Sequence, residues 1–221
     1  YWPMIRDICS KYDVLLISDE VMTGCGRTGK NFAVDHWNVV PDIIATAKGL
    51  AAGYVPTGGI IARNGLVEEI KNGSGSFMHG HTYNGNPISA AAVCAVFKYM
   101  KEHGLVENAA RMGELLGAGV KKIAAENPIV GDVRGKGLMW GFELVKDKNT
   151  GEPFDKTGAA NVATKECVDR GLIIYPGSGQ VDGLLGDNFL VAPPLIINEE
   201  QVNELLEKLA DGLAAAAGKL M

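Results

Sequence analysis

The sequence has 221 residues, 47% of them hydrophobic, which is enough to bury the core of one large domain or of two small ones. Its formal net charge of −5 and the lack of any basic block argue against nucleic acid or an anionic membrane as the main partner. No apolar run approaches the roughly 18 residues of a membrane-spanning helix, and no signal peptide is visible.

The cysteines suggest a cytoplasmic protein, and the opening segment suggests that part of the protein lies upstream. The four cysteines are widely spaced and form no Cys-x-x-Cys pair, which indicates reduced thiols in a cytoplasmic protein. The opening segment YWPMIRDICSKYD lacks an initiator Met and reads as an amphipathic helix that leads into a buried strand. We therefore expect an upstream part of a larger protein to precede it.

The first half of the chain is predicted to alternate short apolar strands with loops and helices. Apolar runs predict strands, buried on both faces of a parallel sheet, at 14–18, 42–47 and 57–62. The connection between the first two strands is long enough for a crossover but short for a long helix. Helices are predicted at 65–72, at 87–103 and at about 105–127, because Pro87 suits a first helical turn and Gly104 a helix end.

The second half has a different pattern of residues, with glycines among alternating apolar positions. The segment VGDVRGKGLMWGFELV alternates apolar residues with glycines and predicts two strands around a turn. Further predicted elements are a helix at 158–170, strands at 172–175 and 188–192, and a long amphipathic helix from Glu199 to about Lys219. The prediction is a parallel α/β part, residues 1–104, followed by a smaller α+β domain, residues 105–221.

The segment GCGRTGKN, residues 24–31, resembles a phosphate-binding P-loop but lacks its context. A P-loop leaves its strand directly, and its Lys and Ser or Thr open a helix. Here Asp19 to Thr23 intervene, Asn31 has no hydroxyl for Mg²⁺, and the residues that follow suit a helix poorly. We expect the glycines to allow tight turns with positive φ, and Lys30 to be a surface charge.

Two predicted strands each end in an ionisable residue, Asp19 and Lys48. Ligand chemistry in open α/β sheets gathers at the carboxyl ends of strands, although both residues could equally be solvated charges or a simple ion pair. Lys48 lies among small and apolar residues, and an amine that loses contact with water there could be a nucleophile able to form a Schiff base. A carboxylate paired with such a lysine is what pyridoxal phosphate chemistry needs.

Three segments carry a resemblance to a known family. DEVMTGCGRTG, PDIIATAKGLAAGYVPTGG and HGHTYNGNPISAAA together resemble the class III (ω-amino-acid type) pyridoxal-phosphate-dependent aminotransferases of fold type I. VRGKGLMWGFEL and APPLIINEEQ are similar to the C-terminal domain of that family. The resemblance spans the chain in the right order but covers only the C-terminal half of such a subunit. It implies part of the large parallel-sheet domain followed by a small α+β domain.

The resemblance implies a role for four residues. Asp19 pairs with the pyridine nitrogen of the cofactor, and Val21 packs against one face of its ring. Lys48 forms the internal aldimine and then moves the proton between the substrate Cα and the C4′ atom of the cofactor. Thr82 contacts the cofactor phosphate of the neighbouring subunit, which implies a homodimer with shared sites. By itself, Thr82 could also cap the helix at Pro87 or lie in a turn before it.

The implied reaction is transfer of an amino group from an amine or ω-amino acid to a keto acid such as pyruvate. An aminomutase, a decarboxylase or a non-catalytic relative of the fold stays open, as does a nucleotide-binding module. The phosphate loop of the family and the aromatic residue on the other ring face would lie upstream, so the chain alone should not be a competent enzyme. His79 and His81, without a third ligand, are expected to be an ordinary loop pair rather than a metal site.

Four positions depart from parts of the family. Met22 stands where the ornithine, acetylornithine and GABA branches usually have Gln, and Leu190 where ornithine and acetylornithine enzymes have a carboxylate-binding Arg. Both departures resemble the pyruvate-using amine and ω-amino-acid transaminases. The mobile Arg of some of those enzymes would fall near Gly183, but no Arg occurs between 171 and 221, which leaves carboxylate recognition unassigned. Cys25 stands where an aromatic residue is common.

Overall fold

The computed structural model describes all 221 residues, and its internal contacts divide the chain into two compact units, Tyr1–Val106 and Glu107–Met221. The helix α4 (Leu105–Glu126) begins just before this division. None of the helices combines the length and apolar character needed to cross a membrane. The assignment of residues 1–104 and 105–221 to two functional domains stays a prediction.

The first unit is built around a three-stranded sheet. In chain order its elements are α1 (Trp2–Lys11), β1 (Ile17–Asp19), a 3₁₀ helix (Ala33–Trp37), β2 (Ile43–Thr46), a second 3₁₀ turn (Lys48–Ala51), β3 (Gly59–Ala62), α2 (Asn64–Asn72) and α3 (Pro87–Glu102). The strand order is β1-β2-β3, with β1 parallel to β2.

Two expectations for this sheet are wrong. β3 runs antiparallel to β2, and a short apolar run such as TGGIIA carries no information about strand direction. The strands are also not buried on both faces, because the side chains of Ile17 and Ile60 are 59% and 71% exposed. Burial alternates instead: Leu16, Ser18 and Glu20 point inward.

A small core and an ionic cluster hold α1 against the sheet region. Leu16, Val34 and Val39 are buried together, and Trp2 and Phe32 pack against them.

Asp42, which is also buried, accepts a hydrogen bond of 2.7 Å from the backbone N–H of Leu16. It forms salt bridges of 2.9 Å with Arg6 and with Arg63. The Leu16 bond, followed by Arg6 and Arg63, holds the pKa of the Asp42 carboxyl below its usual value although burial opposes this.

The second unit is a four-stranded antiparallel sheet with helices packed on its core. Its elements after α4 are β4 (Val130–Lys136), β5 (Met139–Leu144), α5 (Ala159–Val168), β6 (Tyr175–Val181), β7 (Leu185–Val191) and α6 (Glu199–Leu220), and the strand order is β4-β5-β7-β6. Phe142 and Phe189 lie opposite each other across β5 and β7, with stacked rings 4.5 Å apart. Leu116 of α4 and Leu209 of α6 are fully buried in the same core.

The strand predicted at 172–175 is misplaced. The chain enters β6 only at Tyr175 and pairs with β7 as far as Val181. This strand contains Pro176, Gly177 and Gly179, residue types that are rare in strands, and Pro is tolerated here because β6 is an edge strand. Of the apolar residues before it, Leu172 packs against the core and Ile174 is buried, whereas Ile173 is 86% exposed.

Candidate functional site

The parallel pairing of β1 and β2 brings their carboxyl ends to one edge of the sheet. Asp19, the last residue of β1, lies opposite Ala45 of β2, and Lys48 follows three residues later, just past the end of β2. The structure thus places a carboxylate and an amine at the same sheet edge, where open α/β sheets bind their ligands.

Asp19 is exposed, and its carboxylate organises the turn that follows. Its Oδ1 accepts a hydrogen bond of 3.0 Å from the backbone N–H of Val21, a local side-chain to backbone bond that stabilises a turn. Val21 is half-buried beside it. This geometry leaves Asp19 able to accept a proton or a hydrogen bond from a ligand.

Glu20 was missed in the sequence but is central to the loop. Its side chain is almost wholly buried and accepts hydrogen bonds from the Thr23 hydroxyl and from the backbone N–H groups of Ala33 and Val34, the latter two at 3.0 Å. Glu20 thereby closes the loop between β1 and the first 3₁₀ helix. Burial alternates here, with Leu16, Ser18 and Glu20 inward and Asp19 outward, but the apolar run VLLIS gives no local signal of the face that Glu20 takes.

The glycine-rich segment 24–31 forms tight turns. Gly26 and Gly29 have φ of 84° and 83°, a conformation that favours glycine, and Lys30 is exposed. The next regular element is the 3₁₀ helix Ala33–Trp37 and not an α-helix, so the segment has no helix N-terminus of the kind that holds phosphate in a P-loop.

Lys48 has an unusual backbone conformation. Its φ of 43° lies in the left-handed region, which is uncommon for residues other than Gly and recurs at functional sites. The turn that it begins packs against α3. In this chain the Lys48 side chain is exposed, so the expectation that its small and apolar neighbours would shield it from water is not met here. Gly49, Ala52 and Gly53 beside it are also exposed, and residues this small leave the lysine open to water.

Cys25 packs close to the Lys48 turn. Its thiol is buried and lies 3.6 Å from the Thr46 hydroxyl, and a Cβ on Gly49 would be only 3.0 Å from the Cys25 Cβ. Burial raises the pKa of the Cys25 thiol, an effect that the Thr46 hydrogen bond partly offsets and nearby Glu20 reinforces. Cys25 is therefore a neutral packing group rather than a reactive thiolate.

Thr82 lies in an exposed turn before α3. The N–H of Asn84 donates to the carbonyl of His81 across this turn, at 2.9 Å. The residue that caps α3 is Asn86, whose Oδ1 accepts from the N–H groups of Ile88 and Ser89, so Thr82 is not the helix cap. No hydrogen bond joins Thr82 to Asp19 or Lys48.

The remaining positions singled out in the sequence are dispersed. Met22 is exposed in the turn after Asp19, and the rings of His79 and His81 contact each other edge to face at 4.9 Å. Leu190 pairs within the sheet of the second unit, opposite Gly141 of β5, and Gly183 lies in the turn between β6 and β7 with φ of 73°.

Comparison with curated proteins identifies relatives along the whole chain. An uncharacterized aminotransferase of Bacillus subtilis, YodT, is 39% identical over 221 residues, covering 100% of this chain and 50% of the relative. A putrescine–pyruvate aminotransferase of Pseudomonas aeruginosa is 38% identical over 220 residues, covering 98% of this chain and 46% of the relative. The chain spans about half the length of the curated relatives that it matches.

Solved structures match equally well. A transaminase from the marine bacterium Virgibacillus superposes with a TM-score of 0.92 at 37% identity, covering 100% of this chain and 49% of that one. The ω-transaminase of Pseudomonas jessenii in complex with PMP gives a TM-score of 0.89 at 32% identity, covering 100% and 48%.

The family model for aminotransferase class-III matches residues 1–213. Together with the structural matches, this confirms both the predicted family and the predicted fold. The chain belongs to the class III aminotransferases and has the fold type I architecture of pyridoxal-phosphate-dependent transferases.

Proposed function

We propose that the full-length protein containing this chain is a pyridoxal-phosphate-dependent transaminase. It transfers the amino group of an amine or ω-amino acid to a keto acid, with pyruvate as the acceptor. The observation that carries the proposal is the parallel pairing of β1 and β2, which sets Asp19 and Lys48 at one sheet edge in a chain of this family.

The residues present fit the cofactor. Asp19 offers an exposed carboxylate whose turn is already fixed by the Val21 N–H, and Lys48 offers an exposed amine on the neighbouring strand. A carboxylate facing a pyridine nitrogen and an amine facing an aldehyde form the donor set that pyridoxal phosphate requires. The Pseudomonas jessenii transaminase, which matches the whole chain, was solved with the aminated form of this cofactor.

Each site residue would then have a definite task. Asp19 would accept a hydrogen bond from the protonated ring nitrogen, and Val21 would pack against one face of the ring. Lys48 Nζ would hold the cofactor covalently and, once released by the incoming amine, would take the proton from the substrate Cα as general base. The bound cofactor would supply an electron-accepting ring that stabilises negative charge at that carbon.

Pyruvate as acceptor and a homodimer are supported by individual sequence positions and by a relative, and not by the geometry of Asp19 and Lys48. Met22 and Leu190 lack the polar groups that the ornithine-type branches use, and one close relative is a putrescine–pyruvate aminotransferase. Thr82 presents an exposed hydroxyl, which suits a contact with the cofactor phosphate of a second subunit in a homodimer. All four cysteines are free, in keeping with a cytoplasmic location.

The test compares Lys48→Ala with Lys30→Ala, a matched removal of an exposed lysine, in the full-length protein. We expect wild type and Lys30→Ala to take up pyridoxal phosphate with the visible absorbance of the lysine-bound cofactor, and Lys48→Ala to lose it. Removal of the general base should slow amine transfer by about 10²–10⁴-fold. An unchanged absorbance in Lys48→Ala would exclude the assignment.

A panel of amine donors with pyruvate, followed by measurement of the alanine formed, tests the reaction class. An aminomutase or decarboxylase would bind the cofactor through Lys48 but would form no alanine. The same panel identifies the amine donor.

A further inference from the structure

We propose that Cys25 is a positioning residue for Lys48, one that couples the Asp19 turn to the strained backbone from which the lysine projects. The inference rests on the proposed function, because it assigns a consequence for cofactor binding and amine transfer to a residue that meets neither substrate nor cofactor in the mechanism above.

The first observation is that Cys25 contacts the chain on both sides of Lys48. Its Sγ lies 3.6 Å from the hydroxyl of Thr46, the last residue of β2 and two residues before Lys48. Its Cβ faces Gly49, the residue after Lys48, so closely that a Cβ there would be 3.0 Å away. Both Cys25 and Thr46 are almost fully buried, so the contact between thiol and hydroxyl is closed to water, whereas Gly49 itself is exposed.

The second observation is the strain at Lys48 itself. A non-glycine residue with a φ of 43° persists only where its surroundings over-determine its conformation. The contacts on Thr46 and Gly49 bracket Lys48 within one turn of chain. The helix α3 also packs against the turn that begins at Lys48.

The third observation links Cys25 back to Asp19. Gly24, the residue before Cys25, donates its N–H to the carbonyl of Glu20 at 3.0 Å, and a Cβ on Gly24 would meet that carbonyl oxygen at 2.7 Å. Glu20 is in turn fixed by its buried carboxylate. The loop from Asp19 to Cys25 is therefore closed on itself, and its far end lies against the lysine turn.

The consequence is geometric. Packed protein interiors transmit small shifts, and a misplacement of about 1 Å in a catalytic group can slow a reaction about 100-fold. A change at Cys25 should alter the placement of Lys48 Nζ relative to the cofactor that Asp19 and Val21 would hold, and so should affect the proton-transfer step more than the binding of the amine donor.

The experiment uses full-length holoenzyme carrying Cys25→Ala, which keeps the Cβ facing Gly49 and removes only the thiol on Thr46. We expect kcat to fall about tenfold or more while KM for the amine changes less than about twofold. Pyridoxal phosphate affinity, measured by absorbance titration of the apoprotein, should weaken several-fold. The matched control is Cys167→Ala, which removes an equally buried thiol that packs on Gly212 of α6 and not on the lysine turn.

A double-mutant cycle separates positioning from a general loss of packing. Thr46→Val removes the hydroxyl at nearly constant volume, and Thr46→Ser keeps it. If the two groups act as a unit, Cys25→Ala combined with Thr46→Val should be no slower than the slower single variant, and Thr46→Ser should resemble wild type.

The outcomes separate the two proposals. A wild-type protein without lysine-bound cofactor or amine transfer defeats the proposed function. A functional wild type with unchanged kcat and cofactor affinity in Cys25→Ala, with losses equal to those of Cys167→Ala, or with simply additive effects of Cys25→Ala and Thr46→Val, overturns the positioning role alone.

Discussion

Replacement of Glu20 by Ala should destabilise the first unit by a predictable amount. The substitution removes the acceptor for the buried N–H of Val34, for the partly buried N–H of Ala33 and for the Thr23 hydroxyl. A buried donor left without a partner costs about 1–3 kcal/mol, so the Val34 N–H alone accounts for about that much, and the partly buried Ala33 N–H adds a smaller amount. This is a large fraction of the roughly 5–15 kcal/mol by which a domain is stable.

Tryptophan fluorescence offers a direct assay, because Trp2 packs against the core of Leu16, Val34 and Val39. The ring centroid of Trp37, at the end of the 3₁₀ helix that Glu20 holds, lies 6.5 Å from that of Trp2. Denaturant unfolding of the full-length protein carrying Trp140→Phe would report on these two residues within this chain. Any tryptophans outside it should be replaced as well. Glu20→Ala should lower the midpoint of that transition strongly, and Glu20→Gln, which keeps one acceptor oxygen, should lower it less.

The control is Glu69→Ala, which removes an exposed glutamate of α2 and should change stability by no more than about 0.5 kcal/mol. If Glu20→Ala unfolds at the same denaturant concentration as this control, the hydrogen bonds of Glu20 do not hold the loop, and the reasoning is wrong.

Two further predictions concern acid stability and helix packing. The pKa of Asp42 is lower in the folded chain than in the unfolded one, so its contribution is fully present above the unfolded value of about 3.9 and is lost as the pH falls through the folded value. Asp42→Asn should therefore flatten stability against pH in the range below about pH 4, and an unaltered acid limb in urea titrations would contradict this. Gly117→Ala places a Cβ 2.3 Å from the Trp140 ring and should lower the melting temperature although Ala favours helix. Gly218→Ala, with nothing within 4 Å, should stabilise α6 by about 0.5–1 kcal/mol, and equal melting temperatures for the two variants would refute the packing argument.

The parts of the fold that could be predicted from the sequence are those with a regular spacing of apolar residues and with Gly or Pro at the ends of elements. The long helices α4 and α6 were placed to within a few residues because the apolar residues along them recur with regular helical spacing. The strand β6 was misplaced because its Gly and Pro residues have low strand propensity. It is a strand because it pairs with β7, a contact that its own sequence does not indicate.

The site also has a part that could be predicted from the sequence and a part that could not. Asp19 and Lys48 could be proposed because each follows an apolar run and because the motifs around them resemble a family. Their roles, with those of Val21 and Thr82, stay predictions. The left-handed backbone of Lys48 and the inward turn of Glu20 depend on contacts between segments distant in sequence, and no local pattern encodes them.

The apolar sheet of the first unit has a practical consequence for work on the isolated chain. β1 and β3 each pair on one side only, and Ile17, Ile60 and Ile61 present bare aliphatic surface beside those open strand edges. Open edges flanked by aliphatic side chains are templates for strand addition and self-association. Produced alone, this polypeptide should be handled at low concentration, as an aggregation-prone chain.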